Sequence, residues 1–74
     1  MRSRDEISAE YERSKGGLTQ SEPKAGFLEA LLIVLEFPGI NRFQLRQHLK
    51  TAMPYKDTPW GRGFVTGLEW VLDE

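Results

Sequence analysis

An all-α fold, a small three-helix bundle with a mobile or weakly helical N-terminal arm, is what this sequence predicts, and three observations predict it. Apolar residues recur at helical spacing in three stretches, 21–37, 41–53 and 59–73. Each stretch opens on a residue whose side chain caps helices: Ser21, Asn41 and Thr58. Breakers separate them, Pro38-Gly39 after the first and a Pro-Tyr-Lys-Asp-Thr-Pro loop at 54–59 after the second. Residues 1–20 are assigned to the arm and 21–74 to the helical domain.

Within the arm, Ser3 and Glu6 have the spacing of a capping box, and Ile7 and Tyr11 lie four apart. A few helical turns across 4–14 follow. Only those two apolar residues would anchor them, and Gly16-Gly17 interrupts any continuation. The arm is therefore expected to be loosely attached, the alternative being a docking arm that orders on a partner.

The helix over 21–37 starts at Ser21 with Pro23 in its first turn, where a missing N–H costs nothing. Phe27, Leu28, Leu31, Leu32, Val34 and Leu35 crowd almost every side, leaving one polar stripe, Gly26, Glu29 and Glu36, with Ile33 inside it. A helix so apolar is expected to be buried on most of its circumference, between the other two helices or in an oligomer core. A strand through 30–37 is the competing reading, outweighed by Leu, Ala and Glu. The helix over 41–53 carries a capping box, Asn41 with Gln44, and a staple pair, Ile40 with Leu45. Its buried face runs through Leu45, Leu49 and Ala52. Thr58-Pro59 begins the third helix, with Trp60, Phe64, Val65, Leu68, Val71 and Leu72 at helical spacing.

Composition narrows function chiefly by exclusion. Ten Lys and Arg against eleven Asp and Glu give no overall electrostatic case for nucleic acid or an anionic membrane. The charge is uneven: residues 23–56 carry a balance of +3 and 57–74 a balance of −3. The absence of cysteine excludes disulfides and thiol chemistry, and a single histidine excludes a histidine-rich metal site. The longest apolar run, Ala30 to Leu35, is far too short to span a bilayer, and no apolar region follows Arg2 and Arg4 as a secretory signal would require. A cytoplasmic protein is expected, with no membrane partner.

No catalytic, cofactor-binding or metal-binding residue is assigned. His48 stands beside Arg46 and Lys50 without an acidic orienter and reads as a surface residue. Glu29 and Glu36 are about 10 Å apart along a helix, too far to act on one bond. Gly61-Arg62-Gly63 lacks the strand and the Lys-Ser/Thr of a phosphate loop. The expectation is a protein that is not an enzyme.

Two surfaces remain as candidates. Gly63 and Gly67, four apart in the third helix, each cost about 1 kcal/mol relative to alanine. That cost implies that another backbone comes close, and with Trp70 beside them they form the expected partner-binding strip, with a homodimer as one form of partner. Trp60 is read as core and Trp70 as interface. The alternative surface is the row Arg42, Arg46 and Lys50, which recurs every four residues on one helical face and would bind nucleic acid.

Two resemblances bear on these readings. The stretch from Ala30 through Pro38-Gly39-Ile40 to Leu45 and Leu49 resembles the first two helices of winged-helix or helix-turn-helix domains, which implies DNA binding. The chain departs from that pattern where a recognition helix is due, since Trp60, Phe64, Leu68, Glu69 and Trp70 occupy it and no wing follows. The ending Gly61-Arg-Gly-Phe-Val-Thr-Gly-Leu-Glu-Trp-Val-Leu72 resembles the C-terminal segment of small tailed-bacteriophage accessory and virion-associated proteins. That resemblance implies a non-enzymatic protein, in the host cytoplasm or the virion, working by contact with a host or virion protein or by self-assembly.

Overall fold

Four side-chain caps start four helices. The computed structural model describes residues 1–17 and 21–73, which form α1 (Arg4–Lys15), α2 (Glu22–Glu36), α3 (Arg42–Ala52), a 3₁₀ turn at Met53–Tyr55, and α4 (Pro59–Leu72). Ser3 and Asn41 build full capping boxes with Glu6 and Gln44, while Ser21 accepts from the Lys24 N–H and Thr58 from the Gly61 N–H. The fold is all-α, with no strand among the described residues, so 30–37 is helical. Three helices fall within a residue or two of their expected bounds. The fourth, α1, occupies the segment expected as a weakly helical arm, whose residues 18–20 lie outside the described residues.

The order of packing differs from expectation. α2 and α4 form the central pair, α1 packs on α2, and α3 packs on α4. Thus α2 lies between α1 and α4 rather than between the two helices that follow it. Leu31, Val34, Leu45, Leu68, Val71 and Leu72 are buried in one cluster that also takes in Ile7 of α1. Complete burial of a side chain of that size contributes about 2 kcal/mol, enough to hold a helix that carries few other apolar groups. Every described Leu, Ile and Val is buried or half-buried. The total accessible surface, 4766 Å², is close to the roughly 4,700 Å² expected of a folded monomer of this mass.

Glycine makes the central pair possible. A β-carbon on Gly63 of α4 would lie 1.8 Å from the Pro23 carbonyl oxygen, and one on Gly26 of α2 would lie 2.0 Å from the Trp60 carbonyl oxygen. Both obstacles are backbone, so no rotamer change relieves them. Gly67 continues the seam against Ala30 and Phe27. Gly26, expected in a polar stripe with Glu29 and Glu36, is buried here, whereas the two glutamates are exposed.

The first residues of the chain complete the ends of helices distant in sequence. Neither α2 nor α4 has a basic residue in its last turn. The cations arrive from outside. Arg4 donates from Nη1 to the Val34 carbonyl at 3.0 Å and also bonds the Leu35 carbonyl, both at the end of α2. Arg2 donates from Nε to the Trp70 carbonyl and from its backbone N–H to the Val71 carbonyl, each at 2.8 Å, at the end of α4. Its guanidinium also lies 3.6 Å from the Asp73 carboxylate and 4.3 Å above the Trp70 ring. A positive charge opposite unpaired C-terminal carbonyls is favoured by both hydrogen bonding and the helix dipole. Asp73, at φ 54°, ends α4 in the left-handed conformation that aspartate tolerates better than most residues.

Two expected outcomes follow from this packing. Gly63→Ala should lose about 3 kcal/mol or more in urea unfolding, because backbone must move to admit the methyl group. Gly39→Ala, where a β-carbon meets nothing within 4 Å and φ is not positive, should be neutral or gain a few tenths of a kcal/mol through the unfolded state. Acid should loosen α1 first. The Ser3 backbone N–H and hydroxyl, with Arg2, hold Glu6 below the ordinary glutamate value of 4.5, and Arg13 and Ser14 do the same for Glu10. Carboxylates held low stabilise the fold above their unfolded value, and that contribution is lost as pH falls below 4.5 through the folded values. Protection factors of the α1 amides, which remove the intrinsic slowing of exchange by acid, should therefore fall on acidification, and Glu6→Gln with Glu10→Gln should flatten the dependence.

Candidate interaction surface

The apolar side chains left in solvent are mostly aromatic and lie close together in sequence. Phe37 is 60% exposed, Phe43 69%, Tyr55 61% and Trp60 41%, with Met53 also exposed. Apart from Met1, every exposed large hydrophobic among the described residues falls within 37–60. Local structure explains each. Phe37 ends α2 in a non-helical conformation, just before the Pro38-Gly39 turn. Phe43 lies about 160° around α3 from the buried Leu45, at 100° per residue. Tyr55 closes the 3₁₀ turn and receives hydrogen bonds on its carbonyl from the Thr58 N–H and hydroxyl. Trp60 stacks on Phe64 with ring centroids 5.0 Å apart and planes 14° from parallel, so one face of the indole is supported and the side chain stays in contact with solvent.

Two shallow hollows run along one flank of α3 and share Gln47 and His48. The first is lined by Ile33, Phe37, Pro38 and Ile40, with Glu36 and Gln44. The second is lined by Ala52, Tyr55, Trp60 and Phe64, with Thr51. Together they make a discontinuous apolar trough, with an aromatic residue at either end and amide and imidazole groups between. Such a surface is rich in the residue types that dominate interface energetics.

Basic charge gathers on α3 and the turn that follows it, outside the lining of the hollows. Residues 37–56 hold Arg42, Arg46, Lys50 and Lys56 and no Asp or Glu. On the helical wheel, Arg42, Arg46 and Lys50 occupy the flank of α3 away from the hollows, with Phe43 and Gln47 outermost between the two flanks. All three cations are exposed, as is His48. The alternative nucleic-acid row is therefore on one face as expected. In a helix-turn-helix arrangement the reading helix would be α4. Here Gly61, Gly63, Phe64, Val65, Gly67, Leu68, Val71 and Leu72 of α4 are buried, and its exposed positions, Pro59, Trp60, Arg62, Thr66 and Glu69, carry a single cation.

The expected partner-binding strip is used inside the chain. Gly63 and Gly67 are buried against α2, so the helix that approaches them belongs to the same molecule and the strip is closed to a partner. Trp70 is half-buried, edge-on to Phe27 at 6.2 Å and covered by the Arg2 guanidinium. The two tryptophans thus exchange the roles expected of them: Trp70 packs within the fold, and Trp60 contributes to an open face. Phe37 and Phe43 are exposed without belonging to either of the surfaces expected from the sequence. The signal for Phe43 is legible in its spacing from Leu45, but Phe37 sits at a helix end where periodicity carries no information.

No buried side chain among the described residues is polar or charged, and no group of three His, Cys, Asp or Glu there is placed to hold a metal ion. No helix of the described residues is long and apolar enough to cross a membrane. No protein-family model, curated protein or solved structure matches the chain.

Substitutions separate the packed tryptophan from the open face. Trp70→Ala should cost about 2–3 kcal/mol in stability, since it removes a partly buried ring and the surface beneath Arg2. Tyr55→Ala should change the thermal unfolding midpoint, followed by circular dichroism, by no more than a degree or two.

Proposed function

We propose that this protein is a non-enzymatic binding protein whose trough along α3 contacts another protein. The observation that carries this reading is the concentration of exposed Phe37, Tyr55 and Trp60 around two adjoining hollows, while every described Leu, Ile and Val is buried or half-buried. An apolar surface left open in one place marks an interaction site more often than scattered single residues do. The C-terminal likeness to tailed-phage accessory proteins fits a role exercised by contact, with a host protein, a virion component or a second copy of the chain as the partner.

The test is site-specific photo-crosslinking in the native cell. A photoreactive residue replacing Tyr55 or Phe37 should yield a discrete protein adduct, whereas one replacing the exposed Ala9 of α1 should not. Light scattering on the purified chain tells a second copy from another protein. Equal labelling at all three positions, or none, would sink the proposal.

A second reading, DNA binding, is favoured by the exposed Arg42, Arg46 and Lys50 on one flank of α3. A gel shift at two salt concentrations discriminates it. Phosphate contacts by these side chains predict steep loss of affinity with salt, and Lys50→Ala should lower the salt dependence by about one ion.

A further inference from the structure

Beyond the trough, which plays no part in it, we infer that α1 is a hinged strap: it opens from α2 and α4 as one unit while the α2–α4 pair stays folded, and recloses on the same seat. The anchors of the strap are few. Ile7 is the one fully buried side chain of α1, with Tyr11 half-buried against the core. Arg4 bonds the Val34 and Leu35 carbonyls, and Arg2 holds the Trp70 and Val71 carbonyls and pairs with Asp73. The other polar contacts of the segment are internal to it: Ser3 with Glu6, Glu10 with Arg13 and Ser14, Glu12 with Lys15, and the Lys15 ammonium over the Tyr11 ring. They travel with the helix when it lifts, so α1 can leave and return as a helix. Gly16 and Gly17, both exposed, follow it directly and supply the backbone freedom of a hinge.

Opening strands no polar group. The carbonyls that Arg2 and Arg4 hold are among the last of α4 and α2, and water hydrates them once the guanidinium groups leave. No buried side chain among the described residues is polar or charged, so none loses a partner. The seam at Gly26, Gly63 and Gly67 is made between α2 and α4 alone and outlasts the departure of α1. What opening uncovers is apolar. Leu28, Leu31 and Leu35 lie about 100° or more around α2 from Gly26 and Ala30, which meet α4, and α1 is the second helix that packs on α2. Leu31 is fully buried, and Leu28 and Leu35 are half-buried. Trp70 loses the guanidinium above its ring. The strap therefore governs access to a leucine face of α2. The segment that fits the vacated seat is α1 itself, which brings an aliphatic side chain at Ile7 and guanidinium groups to two helix ends.

Native-state hydrogen exchange of the intact protein at constant pH tests the inference. The α1 amides should share one protection factor, at least about tenfold below those at the centres of α2 and α4. Val65→Ala, about 160° around α4 from Gly63 and Gly67, should lower protection in α2 and α4 and leave that of α1 unchanged, because it weakens the closed and open forms alike. Arg2→Ala with Arg4→Ala should lower α1 protection by at least about tenfold, the worth of one hydrogen bond to a charged group. A second readout uses the indole. In a Trp60→Phe background, Ile7→Asp should raise acrylamide quenching of Trp70 while circular dichroism keeps the helical signal of α2, α3 and α4. A synthetic peptide of residues 1–17 should reverse the quenching, and the same peptide carrying Ile7→Asp should not. Protection in α1 equal to that in α2 and α4, and falling with it in Val65→Ala, overturns the inference, since α1 then opens only when the whole chain unfolds. A graded change in protection along α1 overturns it in favour of end fraying. Loss of all helical signal in Ile7→Asp, or quenching that the unsubstituted peptide leaves unchanged, overturns it because the seat then does not outlast the strap.

Discussion

The constraint on which the structure depends is the backbone-to-backbone approach of α2 and α4. Gly26, Gly63 and Gly67 remove the side chains that would hold the two helices apart, and Ala30 adds the next smallest group. Each glycine weakens its own helix by about 1 kcal/mol relative to alanine. The approach offsets this by bringing the flanking Leu31, Val34, Phe64 and Leu68 into one dry cluster. Once α2 and α4 are fixed, α1 has one surface to lie on and α3 another. The exposed trough is a consequence of the same arrangement, because it forms where the end of α2, the body of α3 and the start of α4 meet.

Stability and the proposed interaction are consequently assigned to different residue types. Aliphatic side chains and glycine close the interior, and aromatic side chains between 37 and 60 remain partly in solvent. The total surface is that of a folded monomer, so the fold itself does not require a second molecule to hide aliphatic groups. The case for a partner therefore shifts from the apolar circumference of α2, much of which α1 and α4 cover, to the aromatic rim of the trough. That shift also changes which substitutions bear on the proposed function: the α2–α4 seam concerns folding, and Phe37, Tyr55 and Trp60 concern the proposed contact.

Local grammar was legible in the sequence and tertiary assignment was not. Ser3, Ser21, Asn41 and Thr58 cap the helices as their spacing implies, and Pro38-Gly39 turns the chain where expected. These are short-range hydrogen-bonding and steric effects, decided within four or five residues. The glycine pair in α4 announced a close approach, but spacing cannot say whether the approaching helix belongs to the same chain. Similarly, two apolar residues in α1 understate its attachment, because Arg2 and Arg4 act on carbonyls at the ends of α2 and α4. An arginine in a polar N-terminal stretch has no local signature that distinguishes such a role. Trp60 and Trp70 differ in cover for the same reason: helical spacing places both near an apolar face, and Arg2, Phe27 and Phe64 decide how far each is covered.

The bond from Arg2 to the Trp70 carbonyl joins groups 68 positions apart, and this has a bearing on biosynthesis. A ribosome releases Arg2 well before Trp70, so this clasp can close only once α4 has been made. During that interval Arg4 and Ile7 can engage only α2, and the Arg2 guanidinium remains hydrated. Contacts between groups so far apart in sequence close a larger loop, and so form more slowly, than the turns within each helix.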